Sequence, residues 1–137
     1  MHTEPLDTAS LRLSELPLSE AALADLARLL DERRHSSLAE SEHIAESLGT
    51  LLSSRSESTA DDEHDPEGPT LSSEWSRLQA LRTDTVDDLA AIEAALERMR
   101  DGVYGVCVHC GRQIGEARLR ARPTAELCIS CAVAAER

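Results

Sequence analysis

The sequence has no lysine and no phenylalanine, and its only aromatic residues are Trp75 and Tyr104. A chain of 137 residues so poor in aromatics cannot fill a broad globular core, which normally leans on Phe, Tyr and Trp. Positive charge is also scarce, with 14 Arg against 26 Asp and Glu and a formal net charge of −12. That balance argues against general duplex-DNA or anionic-membrane binding, because phosphate affinity needs accumulated cations. No apolar run is long enough for a membrane-spanning helix, and the acidic MHTEPLDTAS opening has no secretory core. The expected setting is therefore cytoplasmic and reducing, and the Arg-for-Lys bias with heavy Ala use suits a GC-rich bacterial genome. There is no phosphate loop, HExxH motif or Ser-His-Asp arrangement. Enzymatic activity is not expected.

What is present is helical periodicity. Residues 1–17 mix Leu with Pro5 and Pro17 and read as an arm. Ser19 is a candidate N-cap, and Leu23, Leu26, Leu30, Ile44, Leu48 and Leu51 then recur at alternating steps of three and four. Arg34, Ser37 and Ser41 occupy the in-phase positions of the gap and weaken the middle of the seam, while Gly49 is expected to bend or fray the distal part. A turn-rich, acidic stretch at about 54–70, with Pro66, Gly68 and Pro69, interrupts the helix. Helix is expected to resume near Thr70 or Ser72. A second register follows through Trp75, Leu78, Leu89, Ile92, Leu96, Met99 and Val103, with Arg82 and Thr85 at its polar positions. Gly102 marks the stop. The pattern predicts a mainly α fold, with an antiparallel coiled-coil hairpin over 18–102 whose arms reach roughly 45 Å. A small finger and short C-terminal helix are expected over 103–137.

The most specific signal is Cys107-Val-His-Cys110 followed, after 17 residues, by Cys128-Ile-Ser-Cys131. Two C-x2-C pairs can present four thiolates to one ion in a tetrahedron, and soft sulfur ligands favour zinc. With all four positions taken by protein, no place is left for reactive water, so one structural Zn²⁺ is expected. His109, between the ligands, reads as an exposed residue of the turn. A finger of some 35 residues is too small to fold without a staple, so metal binding and folding should be one event. The rival uses of these cysteines are a redox dithiol pair or a nucleic-acid-binding finger. The second lacks a basic stripe with stacking aromatics.

The run Asp101-Gly-Val-Tyr-Gly-Val-Cys107, then Cys110-Gly-Arg-Gln-Ile-Gly115, then Arg118-Leu-Arg-Ala-Arg-Pro-Thr-Ala-Glu-Leu-Cys128 resembles the zinc-finger region of the DksA/TraR family. The resemblance runs from about Asp101 to Glu136 and does not reach residues 1–17. It implies a non-enzymatic regulator that binds bacterial RNA polymerase rather than promoter DNA. In that family the hairpin enters the secondary channel, its acidic tip approaches the active centre, and finger and final helix rest on the polymerase rim. Charge is polarised in keeping with this. Residues 1–68 carry five Arg against sixteen Asp and Glu, whereas residues from 107 onward carry five Arg against three Glu.

The resemblance makes Asp62 and Asp65 the tip candidates, although Glu67 stands where the family pattern has Ala; the alternative alignment pairs Asp65 with Gly68. Arg118, Arg120 and Arg122 become candidates for the rim. Family members that respond to ppGpp use three basic positions, which here fall on Ala91, Arg122 and Ala132, so dependence on ppGpp is expected to be weak or absent. A monomer is expected. The competing functional reading is a zinc-binding stress or scaffold protein that has kept the finger without the polymerase role.

Overall fold

The computed structural model describes residues 16–58 and 68–136, so arm residues 1–15 and the acidic run holding Asp62 and Asp65 lie outside the described residues. Four helices follow one another: α1 (Glu20–Ser58), α2 (Gly68–Arg100), α3 (Glu116–Ala121) and α4 (Ile129–Ala135). Extended pairing among the described residues is limited to an isolated bridge between Val106 and Gln113. The fold is the mainly α hairpin that the periodicity predicts, followed by the finger.

Local chemistry sets the ends of the long helices. The Ala22 amide donates to Ser19 Oγ at 3.1 Å, and the Leu23 amide donates to the Ser19 carbonyl at 2.9 Å. Ser19 is thus the N-cap of α1, satisfying a donor that the first turn leaves without an intrahelical partner. Helix α1 runs through Gly49 without interruption to Ser58. The helix does not end at Gly49, because one glycine in a long, otherwise favourable helix costs only about 1 kcal/mol. Helix α2 begins at Gly68 rather than near Thr70, since proline in a first turn loses an amide that would have no intrahelical partner anyway. It ends in a Schellman turn, with the Val103 amide donating to Arg98 O at 2.9 Å and the Gly102 amide to Met99 O at 3.2 Å. Gly102 carries the positive φ of 74° that this turn requires.

Contacts divide the described chain into two units, one of residues up to Glu32 and from Ala91 onward, the other Arg33–Ala90. In the first, Leu26 and Leu30 of α1 share a core with Ile92 and Ala95 of α2 and with Tyr104, Cys107, Ile114 and Leu119 of the finger. The finger therefore has no core of its own; it is built onto the helix segments with which it shares buried surface. In the second unit, Ile44 and Leu48 pack with Leu78, flanked by Leu51, Trp75 and Leu81. Here Arg34, Ser37 and Ser41 are half-buried, Thr85 is buried, and its hydroxyl donates to the Leu81 carbonyl at 2.9 Å. Arg82, assigned to the same register, is exposed.

Two departures from the expected register each have a local cause. Ala95 is fully buried, whereas Leu96 is half-buried, because the finger covers the end of α2 from a direction that a two-helix seam does not contain. Val103 is about half exposed, since the turn at Gly102 takes it out of helical phase.

Candidate metal centre

The first cysteine pair is held by a short hairpin-like turn. The Ile114 amide donates to Gly105 O and the Cys107 amide to Arg112 O, both at 2.8 Å, and the Gly111 amide closes onto Cys107 O at 3.0 Å. Gly105 has φ +86°, and a Cβ there would lie 2.9 Å from Leu18 Cδ1 and 3.4 Å from Leu119 Cδ1. Only glycine satisfies both the backbone angle and the close approach. The second pair is presented differently, at a helix start. Cys128 is the N-cap of α4 with extended backbone angles, and Cys131 follows in its first turn.

These elements bring all four Sγ atoms within 4.8 Å of one another, with Cys107 buried, Cys110 exposed and the other two half-buried. Cys110 Sγ and Cys128 Sγ lie 3.7 Å apart. A tetrahedron of Zn–S bonds near ~2.3 Å has edges of about 3.8 Å, so this separation fits a bound zinc. His109 is exposed and stands outside the cluster.

The electrostatics of the cluster favour a cation. The backbone amide of Cys110, helped by the amides of Cys128 and His109, holds the Cys107 thiol down to about 6 despite burial. The Cys131 amide likewise lowers Cys128. Cys131 is pushed up to about 12, chiefly by its hydrogen bond with Cys128 and then by burial. Backbone amides can stabilise part of the negative charge, but four adjacent thiolates repel one another until a dication compensates them. All four protein ligands are then used, and the centre is structural.

The segment leading into Cys128 is also tied in. Tyr104 Oη donates to Pro123 O at 2.8 Å, the Val108 amide to Glu126 O at 2.9 Å, and Arg118 Nε to Leu127 O at 3.0 Å. Arg98 Nη1 approaches Glu126 Oε1 at 3.5 Å, while its Nη2 is buried without a hydrogen-bond partner among the described residues. Sequence reasoning alone misses these roles of Tyr104 and Arg98. A tyrosine three residues before the first cysteine, in a chain with no other, is the available signal.

The three arginines singled out from sequence are placed unequally. Arg118 is half-buried and turned to the Leu127 carbonyl. Arg120 pairs with Glu116 at 2.7 Å and Asp25 at 3.4 Å, and Arg122 is exposed.

Residues 102–137 match the family model described as the prokaryotic dksA/traR C4-type zinc finger, which covers all four sulfurs of the cluster. The match covers roughly the last quarter of the chain, and that segment is similar to the DksA/TraR finger. The family's finger is thus the part of the chain that carries the metal, one structural zinc. The chain is 51% identical over 45 residues to the RNA polymerase-binding transcription factor DksA of Escherichia coli K12, a match covering 33% of this chain and 30% of that relative. An uncharacterised protein of Aquifex aeolicus is 40% identical over 60 residues, covering 44% of this chain and 41% of that relative. The matched stretch thus spans less than half the length of these curated relatives. The structure of transcription factor DksA2 from Pseudomonas aeruginosa superposes with a TM-score of 0.72 at 27% identity, covering 93% of this chain and 95% of that one. Among the described residues, no helix is long and apolar enough to cross a membrane.

Proposed function

We propose that the chain is a cytoplasmic, non-enzymatic transcription regulator that binds bacterial RNA polymerase through the secondary channel and modulates initiation. The observation that carries this reading is the joint presence of the family's C4 finger and a long helical hairpin like that of DksA2. A finger alone would suit many partners. A finger sharing its core with the start of α1 and the end of α2 suits a protein that must aim a hairpin.

In this reading zinc fixes the finger, the finger fixes the helix segments packed on it, and the acidic stretch of sequence between α1 and α2 supplies Asp62 and Asp65 to the polymerase active centre. The rim contact falls first on exposed Arg122 and next on Arg120, whose acidic partners are surface groups that a stronger partner can replace. Arg118, already engaged inward, contributes least to it. The chain acts as a monomer and without reading promoter sequence. Ala91 and Ala132 offer no cation to a phosphate, so ppGpp adds little to its effect.

The test is transcription in vitro with the Asp62→Asn, Asp65→Asn double variant. Polymerase binding should stay within about twofold of the unmodified chain, while the effect on initiation disappears. An unchanged effect on initiation would remove the tip assignment.

A further inference from the structure

Residues between α3 and Cys128 form neither helix nor strand, so their carbonyls must find partners elsewhere. Three are taken by groups outside the segment: a phenol at Pro123, a backbone amide at Glu126 and a guanidinium at Leu127. The last lies nearest the metal centre, because the peptide bearing the Leu127 carbonyl is the one that ends at Cys128. It is also the contact among the three that brings a full charge.

We infer that Arg118 is a positioning residue of the metal centre. Its guanidinium fixes the Leu127–Cys128 peptide, and with it the direction from which Cys128 Sγ meets the other three sulfurs. It also places a permanent positive charge beside a centre in which four thiolates outweigh one dication. Loss of groups that orient ligands in this way typically lowers metal affinity by about 10–100-fold. The neighbouring arginines do not share this role, since Arg120 is engaged with Glu116 and Asp25, and Arg122 is exposed. A lysine at 118 keeps the charge but lacks the planar fork whose Nε makes this bond.

The test uses the zinc-loaded full chain and needs no polymerase, so its outcome is independent of the functional reading above. Zinc release to a chromophoric chelator is timed, and the thiolate-to-metal charge-transfer band is recorded after substitution with Co²⁺. Arg118→Gln should release zinc about tenfold faster or more and shift the cobalt band, the range seen when ligand-orienting partners are lost. Arg118→Lys should fall between it and the unmodified chain, and Arg120→Gln should match the unmodified chain. Release from Arg118→Gln within about twofold of the unmodified chain, or equal acceleration by Arg120→Gln, overturns the inference. Should Arg118→Gln fail to fold with zinc, Arg118→Lys decides: faster release supports the inference, and an unchanged rate overturns it.

Discussion

Gly105 shows how much a single residue carries in this finger. Its backbone angle and the 2.9 Å approach to Leu18 both exclude a side chain. Gly105→Ala should therefore cost about 1–2 kcal/mol for the left-handed backbone alone, with displacement of Leu18 added to it. Thermal unfolding of the zinc-loaded variant measures the loss. Tyr104 offers a second residue-scale prediction, because it is the only tyrosine and its phenolate absorbance reports one site. Burial raises its ionisation from 10 to about 12, partly opposed by the Arg98 charge. The folded state then holds the proton more tightly than the unfolded state does. The contribution of Tyr104 to stability should be flat below pH 10 and fall between 10 and about 12 as the unfolded chain ionises first. Phenolate appearing at pH 10 without unfolding would contradict the buried bond to Pro123. The four ligands were legible in the sequence because C-x2-C spacing is itself a geometric statement. The inward roles of Tyr104 and Arg118 were not, since nothing in their spacing says which carbonyl each will meet.

At the scale of elements, the same change of glycine to alanine should have the opposite sign in α1. Gly49 lies within the helix, and a Cβ added there would have no neighbouring atom within 4 Å, so the extra methyl group meets only solvent. Gly49→Ala should stabilise the protein by about 0.5–1 kcal/mol in chemical denaturation. Both long helices were readable from three-and-four spacing, and so was the weak middle, where Ser37, Ser41 and Thr85 stand at seam positions. The helix limits were harder to read. Turn-forming residues mark where a helix can stop, yet Gly68 and Pro69 fall in the first turn of α2, where their backbone preferences are tolerated. Ala22 and Ala95 were missed as core residues because a seam read from large side chains overlooks small ones that permit close packing.

For the whole molecule, the consequential feature is the shared core. Cys107 is buried in the same cluster as Leu26, Leu30, Ile92 and Ala95, so the finger and the adjoining helix segments should lose order together. Removing zinc with a chelator, or protonating the thiolates in acid, should therefore raise amide exchange in residues 20–32 and 91–100 as well as in the finger. Residues 33–58 and 68–90, with their separate core around Ile44, Leu48 and Leu78, should retain most of their protection. Exchange confined to residues 103–136 would mean that the finger folds apart from the hairpin. A sequence read as hairpin followed by finger does not reveal this coupling, because Leu26 and Leu30 lie 74 to 93 positions before the finger residues with which they share a core.

The proposed action of this zinc-stapled hairpin inside RNA polymerase is tested most directly by site-specific photocrosslinking. A crosslinker at Asp65 of the zinc-loaded full chain, mixed with bacterial core polymerase, should attach to residues lining the secondary channel near the active centre. Attachment only to the outer surface, or no complex at micromolar polymerase, would contradict the account.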